Sequence, residues 1–468
     1  MSVASIFVSP KRILRNFPPQ GDIPSSAELL KKAFLVAWPS TVESFLVALV
    51  SMVDTIMVSS LGAYAIAAIG LTNQPKFIAL AVFMSLNVAV SALVARRKGE
   101  GDREGANRVL VQAVLLTIVL TIIITILTQI FADPIIHLVG SESDTHQPAV
   151  DYFRIIMGGL CFNALNMVLC AAQRGIGNTK IAMRTNIVSN LVNVVLNYLL
   201  IGGNFGFPAL GIRGAAIATV CGTVVALCMS LSTVLSPGKF LHLVPSRSNF
   251  RFDRSTLSSM FNIGSSSLAE QVFLRFGFLV YTILVAHLGT NALAAHQIGM
   301  NIITISFAFG DGLSVAAVSL VGQNLGAKRP DLAKIYGAIC QRLGVCCSCL
   351  VAIVYFIWGK TIFGLFSQEP EILEYSTFIM DMVSVIVFLQ IAQVIFSGCL
   401  RGSGDTKYVA MVSLISVAII RPGAGWIFIY GLQTGLWGAW IGLAIDQCIR
   451  LVLNFLRFRS GKWMNIKI

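Results

Sequence analysis

The stretch RGIGNTK, residues 174–180, returns 227 residues later as RGSGDTK, residues 401–407. A second pair of stretches shows the same shift, because LGAYAIAAIG (61–70) matches LGTNALAAHQ (288–297). Matching stretches at one fixed shift are the signature of an internal repeat. The chain is therefore predicted to contain two copies of one structural unit.

The composition places both copies in a membrane. The chain has 468 residues, of which 56% are hydrophobic and 12% are charged, whereas soluble domains average about 25% charged residues. A helix that crosses a bilayer needs roughly 20 apolar residues. Twelve segments meet this length, at about 33–60, 65–95, 106–131, 148–172, 181–202, 208–235, 257–288, 291–322, 332–365, 372–400, 407–430 and 433–457.

The predicted fold is an all-α integral membrane protein whose twelve transmembrane helices form two six-helix lobes. Because six is an even number, both lobes begin and end on the same side, as parallel repeats related by a pseudo-two-fold axis along the membrane normal. Such repeats are typical of transporters that open a central site alternately to each side. The predicted domains are a cytoplasmic N-terminal tail, an N-terminal lobe, a cytoplasmic linker, a C-terminal lobe and a C-terminal tail, at 1–32, 33–236, 237–256, 257–458 and 459–468.

The net charge of +13 comes from basic residues that cluster in alternate loops, including RRKGEGDREGANR (96–108) and GAKRPDLAK (326–334). The intervening loops are poor in Lys and Arg. The positive-inside rule then places both termini in the cytoplasm of a multi-pass protein of the cell membrane. The basic excess is explained by topology, so we expect membrane lipids and small molecules as partners, no nucleic acid, and a monomer.

An acid near the end of an apolar run sets the functional question. Asp54 lies in MVDTIMVSSLG (52–62), and the repeat aligns it with Tyr281, so it does not belong to the common scaffold. A carboxylate in hydrocarbon is costly and is expected to face a cavity and to have partners. Glu43 lies three helical turns earlier on the same face, and its counterpart in the second half is Glu270.

Partners for Asp54 are predicted in the fifth span. Four asparagines recur there at i, i+4, i+7 and i+11, which is one helix face, namely Asn186, Asn190, Asn193 and Asn197. Thr219 lies at a similar depth in the sixth span. Carboxylate, amide and hydroxyl oxygens suit a small hard cation such as Na⁺, and a carboxylate in low dielectric can instead take a proton. The alternative is that these asparagines only cross-link neighbouring helices by hydrogen bonds.

The second half offers a different charge set. Glu270 either binds a substrate cation or forms a buried ion pair with Arg275 or Arg421 that fixes the packing. Lys76 is either lipid-facing or pore-lining and receives no role. Three further acids look isolated and are likewise assigned none, namely Asp311, Asp381 and Asp446.

Several motifs together resemble one family over about residues 30–458. Together with the two-fold six-helix plan, these motifs resemble those of the multidrug and toxic compound extrusion (MATE) transporters of bacteria. The motifs are VDTIM (53–57), AAHQIGMN (294–301), LVGQNLGA (320–327), RGIGNTK and RGSGDTK. The resemblance implies export of organic cations against inward H⁺ or Na⁺. It places the family's coupling aspartate on Asp54, and its partners on Asn193, Asn197 and Thr219.

The chain departs from two groups within this family. Where DinF-type members carry a second aspartate in the fifth span, this chain has Asn197, and where NorM-type members carry an aspartate in the tenth, it offers Gln390. It matches neither group closely, so H⁺ and Na⁺ both stay open. The predicted coupling site is Asp54, Asn190, Asn193, Asn197 and Thr219, and the predicted substrate or secondary charge site is Glu43, Glu270, Gln390 and Arg421.

The sequence thus predicts a secondary active multidrug efflux transporter for organic cations or amphipathic small molecules, with alternating access between two lobes. No cofactor is expected, and no metal other than a possible Na⁺ at Asp54. No catalytic constellation is seen within the spans, which disfavours an enzyme. The alternatives are a flippase for a lipid-linked precursor, an exporter of one specific metabolite, or a receptor scaffold.

Overall fold

The computed structural model describes residues 8–14, 17–236, 238–243, 253–367 and 369–466, and this part of the chain is helical and contains no β-strand. Eleven single helices and one bent pair are long and apolar enough to cross a membrane. We number them α1 Ser26–Ser59, α2 Ala63–Glu100, α3 Arg103–Ile130, α4 His146–Gly158 with Leu160–Gly175, α5 Thr179–Gly202, α6 Gly211–Leu235, α7 Arg254–Ala286, α8 Thr290–Gly326, α9 Pro330–Gly364, α10 Ser376–Ser403, α11 Thr406–Gly431 and α12 Leu436–Ser460.

Local sequence signals explain several helix ends. The turn between α2 and α3 contains Gly101 in the left-handed conformation, with φ 74°, which a glycine adopts at little cost. Asp102 then caps α3, since its Oδ1 accepts a hydrogen bond from the Gly105 N–H at 2.8 Å. Pro330 occupies the first turn of α9, where its missing N–H is not needed.

Two spans are irregular in a way that the apolar pattern did not predict. The two pieces of α4 meet at an angle of 47°, at the glycine pair Gly158–Gly159. In α11, π-helical turns at Leu414–Ile420 and Ile427–Gly431 flank the segment Arg421–Trp426. Pro422 lies in this segment and lacks the N–H that regular α-helical bonding requires.

The chain divides into two compact units. Unit 1 comprises Met1–Phe45 and Ser265–Ile468, and unit 2 comprises Leu46–Gly264. Both division points fall inside a helix, in α1 and in α7, rather than at the lobe boundaries expected from the sequence. The first part of each of these helices therefore packs with a different unit from the rest of the helix.

Unit 2 contains the end of α1 and all of α2 to α6. Its apolar core joins residues of α2, α4 and α6, among them Phe83, Phe153 and Ala216, which are all fully or almost fully buried. The pair α5 and α6 forms the most extensive helix contact within this unit. This pair carries the polar residues of the candidate site.

Unit 1 is built around α10, which contacts α8, α9 and α12. Small residues let these helices approach closely, as packing in membranes favours. A Cβ atom at Gly402, for example, would lie only 2.5 Å from the Val318 carbonyl oxygen of α8. The first half of α1 belongs to this unit, and its Thr41 backbone packs directly against Gly312 of α8.

The N-terminal segment, predicted from the sequence as a cytoplasmic tail, packs against α9 within unit 1. Val8 is fully buried and Leu14 is 5% exposed. The Asp331 carboxylate of α9 accepts hydrogen bonds from the Gln20 N–H at 3.1 Å and from the Arg329 guanidinium at 2.9 Å. The hydrogen bond that Arg329 donates to Asp331 raises the pKa of Arg329 above its usual value.

Candidate functional site

The close packing of α5 on α6 positions the site in unit 2. Ser189 Oγ donates a hydrogen bond to the Gly222 carbonyl oxygen at 2.8 Å. A Cβ atom at Gly222 would lie 2.9 Å from the Ser189 carbonyl oxygen and 3.3 Å from Asn193 Cβ. Since only a glycine fits this spacing, the contact brings Asn193 of α5 beside Thr219 of α6.

We expect Gly222→Val to push α5 and α6 apart and to lower the stability of the protein by about 1–3 kcal/mol, as overpacking does. Thermal unfolding of the purified protein in detergent measures this change. Gly264→Val is the matched control, because Gly264 is also a helical glycine and a Cβ atom there would have no neighbour within 4 Å. Equal unfolding temperatures for the two variants would contradict the proposed role of Gly222.

Asp54 of α1 lies against α5. Its Oδ1 accepts a hydrogen bond from Asn197 Nδ2 at 2.9 Å. Asn197 and Asn193 are only 1% and 5% exposed, and Asp54 is half-buried. The structure thus brings Asp54 together with Asn193, Asn197 and Thr219, the residues that the sequence grouped by depth and helix face.

Asn193 lies between Asp54 and Thr219. One end of its amide is 2.8 Å from Asp54 Oδ1 and 3.2 Å from Oδ2. The other end is 3.2 Å from Thr219 Oγ1. Which end of the amide faces the carboxylate then depends on the charge of Asp54, because an ionised carboxylate only accepts hydrogen bonds and a protonated one also donates.

Each orientation of the Asn193 amide satisfies Asp54 and Thr219, and the one with its oxygen toward Asp54 also accepts a hydrogen bond from Asn197 Nδ2 at 3.3 Å. With its nitrogen toward an ionised Asp54, it donates to the carboxylate, and its oxygen accepts from Thr219. With its oxygen toward a protonated Asp54, it accepts the carboxyl proton and its nitrogen donates to Thr219 Oγ1. That second pattern leaves the Thr219 hydroxyl free to donate to the Ala215 carbonyl oxygen, at 2.9 Å. The site can therefore support Asp54 in either protonation state.

Two further residues lie near this site. Asn190, one turn from Asn193, has no described partner for its buried Nδ2 and makes no described hydrogen bond to Asp54. Tyr152 of α4 is 8% exposed and lies near Asp54. Sequence reasoning missed Tyr152, because one tyrosine in an amphipathic helix gives no distinctive pattern.

Several buried charged groups of unit 1 are paired with one another. Glu270 of α7 is bonded to Arg401 of α10, with 2.5 Å between Oε1 and Nη2. The sequence offered Arg275 or Arg421 as partners, but Arg421 bonds Asp446 Oδ2 through Nη2 at 2.5 Å and Nε at 3.1 Å. Neither Arg421 nor Asp446 is more than 1% exposed.

Asp446 was expected to be isolated, and the structure instead gives it two arginine partners. Besides Arg421, the Arg450 Nη2 atom lies 3.3 Å from Asp446 Oδ2. The Arg421 guanidinium also stacks over the Phe278 ring, 4.5 Å from its centroid, a favourable cation–π geometry. The arrangement holds α7, α11 and α12 together rather than presenting a free charge.

The remaining predicted residues do not join the Asp54 site. Gln390 of α10 lies in unit 1, is 7% exposed and has a buried Oε1 without a described partner. Glu43 is 5% exposed and lies in the part of α1 that belongs to unit 1, whereas Asp54 belongs to unit 2. A role of either residue in substrate binding stays a prediction. Within the described chain, no three His, Cys, Asp or Glu side chains form a group that could hold a metal ion.

The part of the chain that the structure describes contains eleven helices and one bent pair that could cross a membrane. With a hydrogen-bonded carboxylate inside the first half, they are typical of a multi-pass membrane transporter. The MatE family model matches residues 39–199 and 267–427, one segment in each half. The chain belongs to this family, the multidrug and toxic compound extrusion transporters. The family and the fold predicted from the sequence are thereby confirmed.

Known proteins of similar sequence and structure agree with this assignment. The chain is 28% identical over 461 residues to "Probable multidrug resistance protein NorM" of Thermotoga maritima, covering 96% of each chain. It is 27% identical over 446 residues to "Multidrug resistance protein PmpM" of Pseudomonas aeruginosa, covering 92% of each. A solved structure described as the outward-facing conformation of a multidrug resistance MATE family transporter superposes with a TM-score of 0.87 at 22% identity. The match covers 94% of this chain and 98% of that one.

Proposed function

We propose that this protein exports organic cations and amphipathic small molecules in exchange for inward H⁺ or Na⁺, with Asp54 as the coupling carboxylate. The observation that carries the proposal is the hydrogen-bonded position of Asp54 within a membrane span. Its partners can serve both charge states of the acid. The names of similar proteins, which refer to multidrug resistance, support the same substrate class.

The exchange follows from competition at one carboxylate. An ionised Asp54 attracts an organic cation, and this attraction is removed when the acid takes up H⁺ or Na⁺. Ion and substrate therefore bind with opposite preference, and by linkage each lowers the affinity for the other by the same factor. Alternating access of the two halves then converts this competition into export against the inward ion gradient.

One contact of Asp54, the hydrogen bond from Asn197, suits H⁺ better than Na⁺ as the coupling ion. Asn197 turns its amide nitrogen, not its oxygen, toward the carboxylate. A donor in this position stabilises a carboxylate but repels a metal ion, which needs oxygen ligands. Proton uptake requires only that the Asn193 amide present its oxygen to Asp54.

The orientation in the membrane follows the charge distribution of the loops. Both termini are proposed to be cytoplasmic, which puts the turn between α1 and α2 on the outside. Asp54 then lies five residues from the outer end of α1, within reach of external ions. Each chain carries both halves, so we expect a functional monomer.

Proteoliposomes that contain a fluorescent organic cation test this proposal. An imposed pH gradient should drive dye movement, and an imposed Na⁺ gradient at constant pH should not. Export driven only by Na⁺ would support the antiport mechanism and identify Na⁺ as the coupling ion. Movement of neither dye nor ion under both gradients would contradict the proposed function and favour a lipid-linked or single-metabolite substrate.

A further inference from the structure

Lys76 interrupts the apolar sequence of α2 within the polar stretch TNQPK, residues 72–76. The repeat aligns this stretch with GMNII, residues 299–303, where Ile303 replaces the lysine. A charge in this position is therefore not required by the scaffold that the two halves share. A basic residue inside a membrane span is costly and marks a functional site by default.

Lys76 lies on the face of α2 that packs into unit 2. It follows Thr72 by four residues and precedes Phe83 by seven, and these two residues are 1% and 0% exposed. Ile78, on the opposite face, is 67% exposed. The second-half counterpart Ile303 is 5% exposed and belongs to a hydrophobic core, so the corresponding position faces the protein in both halves.

The ammonium group has unused hydrogen-bonding capacity. Its Nζ donates to Asn73 Oδ1 at 3.1 Å and lies 5.6 Å from the centroid of the Phe77 ring. In the described part of the chain no carboxylate forms an ion pair with it. Since an ammonium carries three donors and no acceptor, at least two donors are available to a ligand.

The depth of Lys76 separates it from lysines that reach the membrane surface. It lies 13 residues from the start of α2, about 20 Å along the helix, and 24 residues, about 36 Å, from its end at Glu100. Lysines whose charge reaches the interface lie near helix ends. The Lys76 ammonium therefore lies away from both ends of α2.

We propose that Lys76 binds the carboxylate of zwitterionic substrates whose cationic group is drawn to Asp54. This inference rests on the proposed export function and adds a second recognition point to the same unit. Measured from the turn between α1 and α2, Asp54 lies about 8 Å deep. The Lys76 ammonium, which bonds Asn73 one turn nearer to that turn, lies at about 15 Å.

A cation without a carboxylate would contact Asp54 only. The substrate range is then expected to include molecules that carry both charges, with Lys76 supplying affinity for those molecules alone.

Two dyes that differ at one group test the proposal. One is a rhodamine with a free carboxylate and the other is its methyl ester, and binding to purified protein in lipid nanodiscs is followed by fluorescence polarisation. Lys76→Met should weaken binding of the acid about 10-fold, the effect of losing one charge-assisted bond, and should leave the ester unchanged. Lys76→Arg should retain most of the affinity for the acid.

The ester serves as the control for folding, since its binding does not involve Lys76. Equal weakening for both dyes, no weakening for either, or failure of the wild type to bind the acid would overturn the proposal. Binding requires no ion gradient. Suppose that Lys76→Met selectively loses binding of the acid, while the wild type moves neither dye under a gradient. This result would support the Lys76 site and contradict the export function.

Discussion

Asp54→Asn is expected to lower gradient-driven export on the order of 100-fold, the upper range of coupling between two ligands. The asparagine has nearly the same shape and can still accept the hydrogen bond from Asn197. It cannot take up H⁺ or Na⁺, and it carries no charge to attract an organic cation. Dye export from proteoliposomes measures the loss, and thermal unfolding should show an unchanged fold.

Asp381→Asn provides the matched control for this experiment. Asp381 also lies in a membrane helix, α10, but it is exposed and belongs to unit 1. The same chemical change there should leave export at the wild-type level. Full gradient-driven export by Asp54→Asn, with Asp381→Asn equally active, would rule out Asp54 as the coupling residue.

The second large effect concerns stability. Asp446→Asn should destabilise unit 1 by about 3–5 kcal/mol, the cost of leaving a buried charge without its partner. The reason is that Asp446 accepts hydrogen bonds from both Arg421 and Arg450. Thermal unfolding in detergent and the yield of monodisperse protein measure this loss.

A second variant, Arg421→Met, tests whether the ion pair with Asp446 is what stabilises this region. Arg421→Met should cost less than Asp446→Asn, because Asp446 then keeps Arg450 as a partner, whereas Asp446→Asn leaves both arginines without a carboxylate. The order of the two effects is the informative result. A larger loss for Arg421→Met than for Asp446→Asn would show that the stacking of Arg421 on Phe278, and not the ion pair, stabilises this region.

The sequence predicted much of the fold because hydropathy and repetition act on whole helices. Twelve apolar segments and one fixed shift were sufficient for the number of spans and their division into halves. The bend at Gly159 and the π-turns around Pro422 could not be located in this way. They depend on how one helix packs on the next, as where Gly159 lies against Val220 of α6.

The candidate site was predictable where residues share a depth and a helix face. Asp54, Asn193, Asn197 and Thr219 satisfy this condition, and they lie together in unit 2. The partner of Glu270 was not predictable in this way, since Arg401 lies in RGSGDTK, between the predicted spans 372–400 and 407–430. In the structure α10 continues to Ser403, so Arg401 is part of the helix.

The sequence also does not show which way a charged side chain points within a span. Lys76 looked equally compatible with lipid and with a pore until the burial of Thr72 and Phe83 fixed the face of α2. Likewise Asp446 looked isolated, because its partner Arg421 is distant in sequence and only the packing of α11 on α12 brings the two together.

In the proposed exchange, the coupling ion and the substrate exclude each other at Asp54, and proton release on substrate binding measures this competition directly. A lipophilic cation such as tetraphenylphosphonium is added to the purified protein in weakly buffered detergent solution at a pH where Asp54 is protonated. Release of about one proton per bound cation in the wild type, and none in Asp54→Asn, is the predicted result. Equal proton release by the two proteins, or cation binding without release in the wild type, would contradict the account.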